Sequence, residues 1–287
     1  MIVTKEIIGS NYNGLNILIV SGVHGNESHA VKAVYGLYNR INDEILKDVD
    51  IIKNNISKIK FIFNLNEYGL CNEERINQYS KEETKDINRL FPREFNTLDD
   101  IKALLHGEYQ IVIDVHNSPS CIPCVLIDYD KYTNKNLTCV EGAELVPLVR
   151  HTNIGTIKKH FNGDITRAFT VELPSMGVAG DFVYSTRLLG DFLCTVISNI
   201  NKPEKQYEVE LPIDLYTTVE QGIIYYMNTN PLLKYSKGDI IAKVDDINTG
   251  EREDIIAPFD GILYDINETV YVSNLNSIGM FGKEIFK

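Results

Sequence analysis

A continuous apolar run that leads directly into an amphipathic pattern constrains the fold of this chain more than any other feature. Residues 14–21 form an apolar run with the length of a buried strand. Residues 27–41 then place apolar side chains three and four positions apart, which predicts an amphipathic helix. A strand followed closely by a helix is the building unit of α/β proteins, so the sequence predicts a parallel or mixed sheet covered by helices.

The same alternation continues through the first two thirds of the chain. Further strands are predicted at 59–65, 109–115 and 168–173, and further helices at 97–105 and about 181–200. This part of the chain is therefore assigned to the α/β class.

The character of the sequence changes after a polar linker at 201–205. Short β-rich segments separated by Gly, Asp and Asn follow at 223–227, 239–244, 261–266 and 269–273. We therefore predict two domains, an α/β domain over 1–202 and a smaller β-rich domain over 203–287.

The charge balance excludes several classes of partner. The chain carries 28 Lys and Arg against 40 Asp and Glu, a formal net charge of −12. Such a chain is not expected to bind nucleic acid or to present a basic face to a membrane. A small anionic ligand would have to be captured by a local site.

Three features predict a cytoplasmic protein. No apolar stretch has the length of a membrane span, and the first residues do not resemble a signal peptide. The five cysteines are an odd number scattered along the chain, which favours free thiols. Cys121 and Cys124 form a single Cys-x-x-Cys pair, for which packing is a more common role than a separate zinc or redox site. The oligomeric state is left open, with a homodimer as one option.

Two histidines and a glutamate lie where predicted strands end. His24 and Glu27 follow the first strand, and His116 follows the strand at 109–115. Open α/β folds place ligand sites at the carboxyl ends of their strands. Two His and one Glu would leave the fourth position of a tetrahedral zinc ion open for water, as in catalytic zinc sites. The alternative is an ordinary surface pair and a strand-end histidine bonded to backbone.

Two carboxylates could complete this site. Glu172 ends the strand at 168–173 and is the candidate proton carrier of a zinc-dependent hydrolase. Asp114 points to the same side of its strand as His116 and could orient that ligand. A solvated strand end is the alternative for Glu172.

Four segments together resemble the succinylglutamate desuccinylase/aspartoacylase family of the zinc carboxypeptidase superfamily. They are His24-Gly-Asn-Glu27, Asp86-Ile-Asn-Arg89, Asp114-Val-His-Asn117 and Val171-Glu172. The aspartoacylase branch is the most similar, because its His-Asn-Thr-Thr-Ser and Cys-x-Leu-Ile segments resemble 116–120 and 124–127. The resemblance implies a zinc-carboxypeptidase-like mixed sheet flanked by helices.

The resemblance also implies hydrolysis of an N-acyl amino acid with one zinc ion per subunit. The implied zinc ligands are His24, Glu27 and His116. Glu172 would be the general acid and base. Asn88 and Arg89 would bind the substrate, since an arginine can bond a carboxylate through two N–H groups. Without the family, this segment would be interpreted as a turn with a salt bridge.

The oxyanion-stabilising arginine of the family has two possible positions here. Arg75 keeps the family's spacing from Asn66, whereas a count back from Asp86 without a gap reaches Lys81. A lysine could replace the arginine only in part, because it is a point charge. For both residues an exposed charge on a polar loop is the alternative.

Two more substrate contacts are implied by partial matches. Tyr271 lies in a segment that resembles the one carrying a substrate-facing tyrosine, although a strand tyrosine is ordinarily a packing residue. Arg167 could supply a second carboxylate contact, at a shorter distance from Glu172 along the chain than in the family.

These features predict a cytoplasmic zinc-dependent amidohydrolase whose C-terminal β domain contributes to the mouth of the active site. The resemblance suggests an acidic N-acyl amino acid such as N-acetylaspartate. A metallocarboxypeptidase acting on peptides is the nearest alternative, and a non-catalytic metal- or ligand-sensing relative is another.

Overall fold

The protein divides into two compact units in the computed structural model. The residues described are 2–76, 86–89, 101, 104–118, 122–151, 156–174, 182–227, 234–266 and 271–286. The first unit comprises Met1–Pro119 and Pro123–Gln206, and the second comprises Ser120–Ile122 and Tyr207–Lys287.

A seven-stranded mixed sheet forms the centre of the first unit. Its strands are β1 (Thr4–Ile8), β2 (Leu15–Ser21), β3 (Ile56–Ile62), β4 (Ile111–Ser118), β5 (Cys124–Asp128), β6 (Val146–Arg150) and β7 (Arg167–Pro174). Their order across the sheet is β1-β3-β2-β4-β7-β5-β6. The strands β3, β2, β4 and β7 run parallel, whereas β1 and β5 are antiparallel to β3 and β7. This sheet confirms the predicted α/β class.

Helices cover both faces of the sheet. They are α1 (Ser28–Asn42), α2 (Val49–Asn55), α3 (Glu67–Asn72), α4 (Thr133–Val140), α5 (Ile157–Phe161) and α6 (Phe182–Asn199), with a 3-10 helix at Ile87–Arg89. Phe169 of β7 packs against Phe192 of α6, whereas the adjacent Ala168 shares a core cluster with Ile157 of α5. Because successive strand residues point to opposite faces, α5 and α6 lie on opposite faces of the sheet.

Most predicted elements of the first unit lie close to their expected positions. The residues Ile17–Val20 of β2 are buried, which explains the unbroken apolar run of this central strand. β3 ends at Ile62, before the predicted limit at 65, and beyond this end the N–H of Leu65 still donates to the carbonyl of Ser21 in β2. The strands β1, β5 and β6 were not predicted. Most of the helix predicted at 97–105 lies outside the described residues.

The second unit contains two four-stranded antiparallel sheets. Its strands are β8 (Ile213–Leu215), β9 (Gly222–Tyr226), β10 (Lys234–Tyr235), β11 (Ile240–Asp246), β12 (Arg252–Ile256), β13 (Gly261–Ile266), β14 (Tyr271–Val272) and β15 (Gly279–Gly282). One sheet has the order β10-β13-β15-β8 and the other β12-β11-β9-β14. Buried residues of both sheets, including Val244 and Phe281, form one core cluster. The predicted β-rich C-terminal region is therefore confirmed.

Within the described part of the chain, no helix is both long enough and apolar enough to cross a membrane. Cys124 is buried at the start of β5, and Cys121 lies outside the described residues.

Candidate metal centre

The turn between β2 and α1 brings His24 and Glu27 together. Gly22 has a φ of +66°, which glycine adopts without strain. A Cβ on Gly25 would lie 1.9 Å from the carbonyl carbon of Gly69, so this position has no room for a side chain. The chain can therefore turn sharply and present both side chains at the carboxyl end of β2.

His24, Glu27 and His116 form a buried cluster at the carboxyl ends of β2 and β4. The Nδ1 atoms of His24 and His116 lie 2.7 and 2.8 Å from the two carboxylate oxygens of Glu27 and 3.1 Å from each other. One possible ligand atom from each residue lies within 4.8 Å of the other two. Two imidazoles and one carboxylate are a ligand set that zinc uses in proteins.

A carboxylate holds the second ring nitrogen of each histidine. Nε2 of His24 lies 3.2 Å from Oδ1 of Asp86, and Nε2 of His116 lies 2.9 Å from Oδ2 of Asp114. Metal-binding histidines commonly donate their other N–H to a carboxylate, which fixes the tautomer and orients the ring. The residues therefore fit a metal ion held by two Nδ1 atoms and Glu27.

The charges of the cluster shift the pKa values of its members. Burial raises the pKa of Glu27, but His116 and His24 outweigh this effect and lower the pKa to about 2. Burial lowers the pKa of both histidines, whereas the neighbouring carboxylates raise it overall, for His116 to well above the ordinary value. The cluster therefore favours positive charge, which a bound cation would also supply.

Asn88 is buried beside the His116–Asp114 pair. Its Nδ2 lies 3.4 Å from Oδ2 of Asp114 and 3.2 Å from Nε2 of His116, and its Oδ1 accepts a hydrogen bond from the N–H of Ile157 at 2.9 Å. The neighbouring Arg89 donates from Nη1 to the carbonyl of Asn88 at 2.8 Å. Both predicted substrate ligands are thus close to the cluster, but both ends of the Asn88 carboxamide are already bonded.

Arg75 reaches the cluster through Asp86. Its Nε and Nη2 donate to Oδ2 of Asp86 at 3.3 and 3.1 Å, while the other oxygen of Asp86 contacts His24. Burial raises the pKa of Asp86, but the hydrogen bond with His24 and the charges of His24 and Arg75 lower it overall. The other candidate for the oxyanion position, Lys81, lies outside the described residues.

β7 places Glu172 level with His116. The two residues are register partners across the parallel strands β4 and β7, so their side chains stand on the same face of the sheet. Burial raises the pKa of the Glu172 carboxyl, the charge of His116 opposes the rise, and that of Glu27 adds to it. Glu172 therefore holds its proton to a higher pH than an exposed glutamate does.

The structure does not bring Arg167 to the cluster. This residue begins β7, and its guanidinium donates to the backbone carbonyls of Gly163, Asp164 and Thr166. Five residues of extended strand, about 16 Å, separate it from Glu172. The expected second carboxylate contact is therefore not supported, and Arg167 instead anchors the turn before β7.

Tyr271 belongs to the second unit. It lies on β14, where it pairs with Ile223 of β9, and 70% of it is exposed. Its role toward a substrate stays a prediction.

Two contacts of the site were missed by the sequence analysis. Asp86 contacts Nε2 of His24 across 62 positions of the chain, and no local spacing indicates this contact. The bond from Ile157 to Asn88 joins residues 69 positions apart, and no local pattern signals it.

A family model matches most of the first unit. It describes the succinylglutamate desuccinylase/aspartoacylase catalytic domain and matches residues 13–182. The chain belongs to this family. The matched range includes the cluster and Glu172, and membership supports an enzyme that hydrolyses amide bonds. None of the curated proteins compared with the chain matches it.

Solved structures of the succinylglutamate desuccinylase/aspartoacylase family share the fold of the chain. An aspartoacylase family protein from Mesorhizobium loti is 16% identical with a TM-score of 0.71, and the match covers 99% of this chain and 89% of that one. A succinylglutamate desuccinylase from Silicibacter sp. is 15% identical with a TM-score of 0.70, covering 99% and 88%. A metallo-carboxypeptidase from Burkholderia cenocepacia is 13% identical with a TM-score of 0.55, covering 69% and 60%. These similarities confirm the predicted carboxypeptidase-like fold.

Proposed function

We propose that the chain is a zinc-dependent deacylase that hydrolyses the amide bond of an N-acyl amino acid, releasing a carboxylate and a free amino acid. The observation that carries the proposal is the arrangement of His24, Glu27 and His116. Two Nδ1 atoms face one carboxylate, and a separate carboxylate holds each Nε2 atom. Family membership supports amide hydrolysis as the reaction class.

His24, Glu27 and His116 would hold one zinc ion per subunit. When bound, zinc activates a water molecule and polarises the substrate carbonyl. Glu172 takes the proton from the attacking water and delivers it to the leaving amine. The raised pKa of Glu172 suits this role, because a weaker acid is a stronger base for the first transfer.

Two arginines would provide positive charge for an acidic substrate. Arg89 uses Nη1 on a backbone carbonyl, and its remaining N–H groups have no partner among the residues that the structure describes. They can bond a substrate carboxylate through two N–H groups. Arg75, whose side chain is 46% exposed, is proposed to stabilise the oxyanion, and Tyr271 to contact the substrate.

We place the enzyme in the cytoplasm, acting on a small molecule and not on nucleic acid or membranes. Cys71, Cys139 and Cys194 are free thiols, as is usual in a reducing compartment. The net charge of −12 disfavours polyanionic partners.

A substrate panel combined with zinc analysis tests this function. The purified chain is incubated with N-acetyl-, N-succinyl- and N-formyl-amino acids and with peptides, and the free amine released is measured. We expect one zinc ion per chain and cleavage of an N-acyl amino acid. Glu172→Gln should lower turnover by about 100-fold or more and leave the zinc content unchanged.

Three outcomes would contradict the proposal. Cleavage of peptides alone would indicate a carboxypeptidase. Zinc binding without hydrolysis of any panel member would indicate a sensor. Full activity of the Glu172→Gln variant would exclude Glu172 as the proton carrier.

A further inference from the structure

The side-chain amide of Asn88 points into the protein. The N–H of Ile157 can only donate, so the atom of Asn88 that lies 2.9 Å from it is the acceptor Oδ1. This contact fixes the orientation of the amide and turns Nδ2 toward Asp114 and His116. Oδ1 of Asn88 could not contact a substrate without breaking this hydrogen bond, whereas Nδ2 carries two N–H groups and the contact with Asp114 uses only one of them.

Asn88 and His116 converge on one oxygen of Asp114. Oδ2 of Asp114 lies 2.9 Å from Nε2 of His116 and 3.4 Å from Nδ2 of Asn88. The two nitrogens are 3.2 Å apart, as expected of two donors that share an acceptor. Nε2 of His116 lies beside the Asp114 carboxylate, which accepts hydrogen bonds, so Nε2 carries the proton of this contact. Asn88 therefore supplies the second donor to the carboxylate that orients this histidine.

Asn88 also contacts the carboxylate that holds the other histidine. Its backbone N–H donates to Oδ1 of Asp86 at 2.9 Å, and the same oxygen lies 3.2 Å from Nε2 of His24. One residue thus touches both carboxylates that orient the histidines of the cluster.

We propose that Asn88 is a positioning residue of the metal site, which acts on His116 through Asp114. The inference rests on the proposed function, since it takes the cluster as a zinc site. Asp114 is fully buried, and a buried carboxylate depends on its hydrogen-bond donors. Without Nδ2 of Asn88 the carboxylate is held less firmly, and so is the His116 ring.

Zinc affinity separates this role from substrate binding. The dissociation constant of zinc is measured on metal-free protein by competition with a chromogenic chelator. We expect Asn88→Ala to weaken zinc binding about 10-fold or more, the effect typical of residues that support metal ligands. The matched variant Arg89→Gln should keep the wild-type zinc affinity and raise KM. An Asn88→Ala protein with unchanged zinc affinity would overturn the inference, whatever its KM.

A double-mutant cycle tests whether Asn88 acts through Asp114. Zinc affinity is measured for Asn88→Ala, Asp114→Ala and the double variant. We expect the double variant to bind zinc about as tightly as Asp114→Ala alone, because the second donor has no acceptor left to hold. Losses that simply add would overturn the proposed route.

A pair of variants at Ile157 tests the other end of the carboxamide without changing Asn88. Ile157 is the first residue of α5, a position where helices tolerate proline, and the extended Thr156 suits a residue that precedes proline. Ile157→Pro removes the N–H, whereas Ile157→Ala keeps it and also loses apolar volume. We expect weaker zinc binding in the proline variant than in the alanine variant. Equal affinities would show that this bond does not hold Asn88 in place.

Failure of this inference can be told apart from failure of the proposed function, because the zinc measurements need no substrate. A wild-type protein that binds zinc and hydrolyses no panel member would overturn the proposed function, and the zinc comparisons would still decide the role of Asn88. A wild-type protein that binds no zinc would overturn both.

Discussion

Replacing Asp86 by asparagine should weaken metal binding without changing the shape of the side chain. One oxygen of Asp86 contacts Nε2 of His24 at 3.2 Å and the backbone N–H of Asn88 at 2.9 Å. The other oxygen accepts from Nε and Nη2 of Arg75 at 3.3 and 3.1 Å. An asparagine can keep only one of these acceptors, and its NH2 group would face donors on the other side.

The size of the effect follows from these contacts. If the amide oxygen stays on His24, the NH2 group opposes the guanidinium of Arg75, and if the amide turns over, His24 loses its acceptor. In the first orientation the hydrogen bond to His24 is no longer charge-assisted, and in the second it is gone; a charge-assisted hydrogen bond typically contributes about 1.5–3 kcal/mol. Because about 1.4 kcal/mol corresponds to a tenfold change in affinity, we expect a zinc dissociation constant roughly 10- to 100-fold higher.

Chelator competition on metal-free protein measures this change directly. The control is Glu144→Gln, which makes the same carboxylate-to-amide change in the surface ion pair with Arg187. This control should bind zinc as the wild type does. If Asp86→Asn kept a zinc affinity within about twofold of wild type, the contact between Asp86 and His24 would not support the metal ligand. The inference that a carboxylate on Nε2 orients each histidine for the metal would then be refuted.

Two further predictions concern the proton carrier and the turn. Only ionised Glu172 accepts a proton, so kcat/KM should rise with pH through the raised pKa of Glu172, with a midpoint above the ordinary 4.5; an acidic limb centred at or below 4.5 in the pH–rate profile would contradict this. Gly25→Ala should destabilise the protein by about 3 kcal/mol or more, because the new Cβ would lie 1.9 Å from the backbone of Gly69; urea unfolding measures the loss, and an unchanged midpoint would show that α3 moves aside freely.

The central part of the fold could be predicted because its signals are local. The strand β2 is buried on both faces, and α1 buries one side, so each has a clear apolar pattern. The strand β1 gives no such signal, since only one of its five residues is buried. The strands β5 and β6 are five residues long, and a short apolar run does not by itself distinguish a strand from a buried helix.

The sequence predicts which residues form the candidate site but not how their side chains are oriented. His24 and Glu27 follow the end of β2, His116 lies near the end of β4, and these parallel neighbours bring their carboxyl ends together. The register of β4 and β7 then places Glu172 beside His116. No spacing indicates that Nδ1 faces the cluster while Nε2 faces a carboxylate.

Arg167 shows that residue type and distance along the chain are not enough to assign a substrate contact. An arginine near a catalytic glutamate in sequence suggests a carboxylate ligand. On a strand, however, residues five positions apart lie on opposite faces and about 16 Å from each other. Its guanidinium is also occupied by three backbone carbonyls of the preceding turn, an arrangement that depends on how 163–166 folds back.

Residues 86–89, the Asp-x-Asn-Arg motif, place three polar side chains beside the histidine cluster. Each of these three residues has a different role in the proposed site. Asp86 contacts His24 and Arg75, Asn88 contacts Asp86 and Asp114, and Arg89 is the proposed substrate ligand. The 3-10 turn joins them rigidly, because the N–H of Arg89 donates to the carbonyl of Asp86. A displacement of this turn would disturb the orientation of both histidines and the substrate contact together. In the proposed enzyme, the short spacing of the motif would couple the placement of the metal to that of the substrate.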